Sequence, residues 1–160
     1  MTNISVEAPM KVGPVKLLAG FSREDQRDLL ARGHRLEVAL QESFMVAGER
    51  DLNLYLVLSG IVSAWRGGVK VTQLGAGDIL NETKVFLPGP NELTAKAETP
   101  DTVVLCLPRT ELLTYFRDRP ERLLKVFVLN IVAILAKKLG DREESIVASL
   151  LPDMAMAEEV

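Results

Sequence analysis

The sequence predicts a mainly β protein with flanking helices: an antiparallel double-stranded β-helix, or jelly roll, with one helix before it and a long helix after it. Three observations carry this expectation. Apolar residues alternate with polar ones between His34 and Leu107, and turn residues divide that stretch into six or more short runs. On either side of it the apolar period returns to 3.6.

Residues 1–13 show no period and read as a flexible arm, ahead of a domain over 14–138 and a helix end and tail over 139–160. Ser22 is placed to cap a helix, with Asp25 three residues on; Leu29 and Leu30 face inward, and Gly33 is expected to close it in a left-handed conformation. In the β region Leu36, Val38 and Leu40 alternate with charged or small residues, and Leu52, Leu54, Leu56 and Leu58 with Asn53, Tyr55, Val57 and Ser59. Val69 and Val71 alternate with Lys70 and Thr72, and Leu93, Ala95 and Ala97 with Thr94, Lys96 and Glu98. Gly48 to Asp51, Gly67-Gly68 and Gly75 to Asp78 supply the turns, the second as a two-residue hairpin signal.

After Pro108 a helix is expected over Arg109 to Arg117, stopping before Pro120 because the residue preceding proline disfavours the helical region. A longer helix follows, from Pro120 at its first position to about Leu150, with Pro152 to Val160 frayed. Leu124, Val128, Ile131, Leu135, Leu139 and Ile146 lie close to a heptad seam, while Phe127, Val132 and Ile134 lie off it. Such a helix is buried on more than one face: one against the barrel, the other against a second subunit. Val128, Ile131, Leu135 and Leu139 are the expected dimer contacts, with the alternative that the helix packs only on its own barrel.

Composition narrows the function. The chain has 160 residues, 48% apolar and 26% charged, enough for one globular core. A net charge of −3, with Lys and Arg interleaved among acids, argues against a nucleic-acid partner. The N-terminal MTNISVEAPM lacks a secretory pattern and no apolar run reaches the ~20 residues of a membrane span, so a cytoplasmic, membrane-free protein is expected. Metal chemistry of the cupin kind needs clustered histidines, and the sequence has only His34, read as a loop residue. Cys106 lies in an apolar run and reads as a buried structural thiol. Glu143-Glu144 and Glu158-Glu159 read as surface charge. No catalytic residue and no metal ligand is assigned, and the chain reads as non-enzymatic.

The segment from Leu74 to Ala97 is laid out as strand, glycine turn, short helical turn, Pro-Gly loop and strand. That layout can hold a phosphorylated ligand against backbone N–H groups. In order, Leu56-Val-Leu-Ser-Gly60, Gly75-x-Gly77-Asp78, Glu82, Thr94-Ala-x-Ala97 and Phe116-Arg-Asp-Arg-Pro-Glu121 resemble the cyclic nucleotide-binding domain family, over about Leu17 to Lys138. That family includes catabolite activator proteins and the regulatory subunits of cyclic-nucleotide-dependent kinases. The resemblance implies a phosphate-binding cassette whose Gly-Glu start falls on Asn81 and Glu82, followed by Thr83 and Lys84. The cassette's Arg position falls on Asn91, its hydroxyl position on Glu92, and Thr94 matches its last position. Glu82 then faces a ribose hydroxyl or closes its own short helix. Losing the arginine removes a charged contact worth about 1.5–3 kcal/mol, and a carboxylate at Glu92 opposes a phosphate. Lys84 and Lys96 are the candidate replacement cations.

The resemblance also implies dimerisation through the long helix, with no DNA-reading domain expected because the chain stops soon after it. The expectation is a regulatory or sensor module, acting through a homodimer or an unknown protein partner, with lost or altered cyclic nucleotide binding and no cofactor. The alternative is a working sensor of cyclic AMP, cyclic GMP or another small ligand in a rearranged pocket.

Overall fold

In the computed structural model, nine strands form two antiparallel sheets flanked by three α-helices; the structure describes residues 2–4 and 15–158, with side chains over 15–141. The strands are β1 (Thr2–Ile4), β2 (His34–Val38), β3 (Ser43–Met45), β4 (Asn53–Ser59), β5 (Val62–Arg66), β6 (Val69–Leu74), β7 (Ile79–Leu80), β8 (Thr94–Ala97) and β9 (Thr102–Pro108). One sheet runs β1-β2-β9-β4-β7 and the other β3-β8-β5-β6. Helices α1 (Arg23–Leu30), α2 (Arg109–Arg117) and α3 (Glu121–Glu158) are joined by 3₁₀ turns at Lys16–Leu18 and Glu82–Val85. The jelly-roll expectation holds.

Strands β4 and β9 form the spine, pairing from Asn53↔Pro108 to Ser59↔Val103. Both faces of this pair are buried. On one, Leu54, Leu56, Leu105 and Leu107 meet Leu17, Leu29, Leu112, Tyr115, Phe127 and Ile131 beneath the helices. On the other, Tyr55, Val57, Val104 and Cys106 meet Phe44, Met45, Val62, Ala64, Ala95 and Ala97 between the sheets. A strand covered on both sides reads as continuously apolar, which is why Tyr55 and Val57 stand where simple alternation would put polar residues.

Ser22 caps α1 by accepting from the Asp25 backbone N–H at 3.1 Å. Gly33 is not left-handed, contrary to expectation; its missing side chain is what matters, since a Cβ there would lie 2.7 Å from Leu105 Cγ. Gly67 and Gly68, at φ 56° and 80°, make the predicted tight hairpin. Val69 and Val71 do not point into the core: β6 is an edge strand, and they are exposed. Leu40 lies past the end of β2 and is also exposed. His34 opens β2, opposite Cys106, and is exposed rather than a loop residue.

The expected N-terminal arm contains β1, which pairs with Arg35 to Glu37; residues 1 and 5–13 lie outside the described ones. Helix α3 starts one residue after Pro120 and continues through the proposed frayed end to Glu158. The side chains of Ile146, Glu143, Glu144 and Glu158 lie outside the described residues, as does Glu159. Asn130, the polar break in the apolar run of α3, donates to the Leu17 and Ala19 carbonyls, both at 2.9 Å, and so ties α3 to the first 3₁₀ turn.

Burial, with the Asp51 charge adding to it, pushes the Cys106 thiol from 9.0 up to about 12. Native protein is therefore expected to react with a thiol reagent at pH 8 roughly a thousandfold more slowly than urea-unfolded protein. Equal rates would refute the burial. The raised value keeps the folded thiol protonated, so its contribution to stability is complete below pH 9 and is lost as pH rises towards 12.

Candidate functional site

A cavity of about 270 Å³ opens between the sheets and α3. Its walls come from β3 (Met45), the end of β5 (Arg66), the β7–3₁₀ segment (Leu80, Asn81, Glu82, Thr83, Lys84), the loop before β8 (Glu92, Leu93) and α3 (Leu135, Lys138, Leu139). The chain reaches it through a turn built at Gly75 to Asp78, where the Asp78 carboxylate accepts from the Gly75 N–H at 2.9 Å. Asn81 then turns the backbone through the left-handed region at φ 66°, which asparagine tolerates better than most residues, and launches the short 3₁₀ helix.

Three cations and two carboxylates line the cavity, leaving one positive charge in excess. Glu82 is 4% exposed, and its carboxylate accepts from Lys138 Nζ on α3 at 2.6 Å. The same ammonium donates to the Ile79 carbonyl at 2.9 Å. This short charge-assisted contact stitches α3 to the segment after β7. Across the cavity, Glu92 stands between Lys84 Nζ at 3.5 Å and Arg66 Nη2 at 3.7 Å.

Behind the wall lies a separate polar network centred on Asp51. Its carboxylate accepts from the Tyr55 hydroxyl at 2.7 Å, the Asn53 N–H at 3.0 Å and the Asn91 side-chain amide at 3.0 Å. Asn91 also donates to the Val46 carbonyl at 3.2 Å and accepts from Asn81 Nδ2 at 3.1 Å. Asn81 in turn donates to the Asn53 carbonyl at 2.9 Å. Burial raises the Tyr55 hydroxyl well above the ordinary tyrosine range, so it stays a donor at any working pH. Backbone bonds from Gly48 N to Asn91 O at 2.9 Å and from Asn91 N to Glu49 O at 2.7 Å lock the two loops together.

Residues 36–119 match the family model for the cyclic nucleotide-binding domain. The chain belongs to this family. It is 28% identical to the catabolite activator protein of Thermus thermophilus, covering 86% of this chain and 63% of that one with a TM-score of 0.68. The chain therefore spans less than two thirds of that protein. The fold is shared with a c-di-GMP responsive global regulator of Xanthomonas campestris, at 20% identity, coverage of 82% and 65%, and TM-score 0.70. It is shared too with a putative cyclic nucleotide-binding protein of Geobacter metallireducens, at 18% identity, coverage of 78% and 92%, and TM-score 0.67. No curated protein matches the chain.

Set against the cassette of a cyclic nucleotide-binding domain, the expected site residues divide. Asn81, Glu82, Thr83, Lys84 and Glu92 line one cavity. The Asn91 side chain is engaged by Asp51, Val46 and Asn81. Thr94 presents its hydroxyl to the Ala47 backbone N–H at 3.0 Å. Neither reading of Glu82 anticipated its partner Lys138, which is distant in sequence. Of the two candidate cations, Lys84 reaches the cavity, whereas Lys96 lies on the outer face of β8 over the Trp65 ring, 4.4 Å from its centroid. Arg66 was not singled out, although Val62, Ala64 and Arg66 share one face of β5 by strand period. Among the described residues no helix is long and apolar enough to cross a membrane, and no group of three or more His, Cys, Asp or Glu could hold a metal ion.

Proposed function

We propose that the chain is a non-catalytic regulatory module that does not take cyclic nucleotide through the contacts its family uses, and that works as a homodimer through α3. One observation carries the first half: the buried carboxylate of Glu82 is already bound, at 2.6 Å, by a lysine of the protein's own long helix. A ligand hydroxyl would have to displace an ammonium from a carboxylate, exchanging a charged contact for a weaker neutral one. The cassette's arginine position adds nothing to offset this. Asn91 carries no charge, and its amide is held in the Asp51 network. Apolar side chains left exposed along α3 support the second half.

Calorimetric titration with cyclic AMP and cyclic GMP is expected to give no saturable heat below about 1 mM, an affinity at least three decades short of a micromolar sensor's margin over background. Micromolar binding of either nucleotide would overturn the proposal.

A further inference from the structure

Lys84 is the least comfortable charge in the cavity. Only 8% of the residue is exposed, and an ammonium so far out of water needs a close anionic partner. Its ion-pair partner is Glu92, whose side chain is 67% exposed, and the separation is 3.5 Å. Arg66 approaches the other oxygen of the same carboxylate at 3.7 Å. Both distances exceed the ~2.7–2.9 Å of a tight charge-assisted hydrogen bond. The contrast with Lys138 and Glu82, at 2.6 Å, is sharp. Glu92 is a loosely held anion that can swing into water at small cost, while the two cations that hold it belong to the cavity wall.

We infer that the cavity is a binding site for a small amphipathic acid, whose oxyanion takes the place of the Glu92 carboxylate between Arg66 and Lys84. The two cations address two oxygens of one carboxylate, a spacing that suits the edge of a carboxylate or a phosphate alike. Met45, Leu80, Leu93, Leu135 and Leu139 add apolar lining, next to Asn81, Thr83 and the paired Glu82 and Lys138. Cations and apolar side chains in one cavity accept a head group with a hydrocarbon body. The volume of about 270 Å³ falls just under the range of about 300–1,000 Å³ typical of drug-sized ligands, so the body is short. Glu92 then acts as a built-in competitor that offsets one of the two positive charges beside it. This goes beyond the proposed function, since it brings in Arg66 of β5 and uses Lys84 and Glu92 as cation and displaced anion, roles that the family's cassette does not give them.

Titration calorimetry at low salt with hexanoate, hexyl phosphate and, as neutral control, hexanol tests it. Both acids are expected to bind and hexanol to bind at least about tenfold more weakly. Glu92→Gln, which removes the competitor at an exposed position, should tighten acid binding about tenfold. Arg66→Gln should weaken it by a similar factor, and Lys84→Met by more. Arg66 is half exposed, so its variant reads the site even where loss of the buried lysine prevents folding. Tighter binding of hexyl phosphate assigns the site to phosphates, and tighter binding of hexanoate to carboxylates. Silence of both acids at about 10 mM with the wild type and Glu92→Gln overturns the inference, as does equal binding of hexanol or an unchanged affinity in Glu92→Gln. Cyclic AMP in the same series separates this inference from the proposed function. Acids that bind while cyclic AMP is silent support both, silence of all three overturns only this inference, and cyclic AMP binding overturns the proposed function whatever the acids do.

Discussion

Asp51→Ala is expected to lower the stability of the domain by about 3–4 kcal/mol and to loosen the loops behind the cavity. The carboxylate accepts three hydrogen bonds shorter than 3.1 Å, from Tyr55, Asn53 and Asn91, and two of those residues are nearly fully buried. Removing the acceptor leaves each donor without its partner in a place water reaches poorly. An orphaned buried donor costs about 1–3 kcal/mol, and bonds to a charged group sit at the upper end; the sum is less than additive because the side chains share one network. For a chain of this size the loss corresponds to a fall in Tm of roughly 6–16 °C. Asp51→Asn keeps an acceptor oxygen and should cost about half as much. Urea unfolding measures the loss. Amide exchange at Gly48 and Asn91, whose N–H groups bond across the two loops, should accelerate with it. A loss under 1 kcal/mol would mean that water replaces the carboxylate, and that the network does not hold Asn91.

That network marks the limit of what was legible in the sequence. Strands β2, β4, β6 and β8 were readable because a two-residue period is local, β1 was not, because its stretch shows no period, and the turn at Gly67-Gly68 was because both residues need positive φ. Asn91 could be seen to be the wrong residue for an anion contact, but not what it does instead, since Asp51 lies forty positions away in what reads as an ordinary turn. Lys138 and Glu82 are fifty-six positions apart, and no periodic signal links a lysine on a helix to a carboxylate on a 3₁₀ turn. Val69 and Val71 erred in the other direction. Alternation distinguishes the two faces of a strand but not whether a second layer covers either, and among the described residues Val69 and Val71 on the edge strand β6 are left exposed.

Val132→Glu combined with Leu139→Glu is expected to convert a dimer to a folded monomer. Of the seam read from the sequence, Val128, Ile131, Leu135 and Leu139, two positions face inward. Ile131 is 1% exposed within its own domain's core, and Leu135 packs against that core as well. The side chains left in water are Leu124, Leu129, Val132 and Leu139, exposed by 40%, 65%, 55% and 57%, and half-buried Val128 lies between them. Leu124, Val128, Val132 and Leu139 fall on one stripe, spaced four, four and seven residues apart, along a helix whose 38 residues span about 57 Å. A groove of about 710 Å³ between α3 and β6 lies on another face of the helix, lined by Val71, Leu74, Ala133 and Ile134 together with Lys16, Asp78, Lys137 and Asp141. An exposed apolar stripe on a helix can meet its own copy across a two-fold axis, as an isologous dimer requires. Burying a Val or Leu contributes about 1.5–3 kcal/mol, so two positions lost from each protomer remove roughly 6 kcal/mol or more, most of the ~8 kcal/mol that holds a micromolar dimer. Light scattering should give the dimer mass for the wild type at tens of micromolar and the monomer mass for the double variant, with circular dichroism unchanged. Ile131→Glu should instead destabilise the fold, because its side chain faces inward. A wild type that stays monomeric at high micromolar concentration would overturn the homodimer and leave the stripe to a different protein.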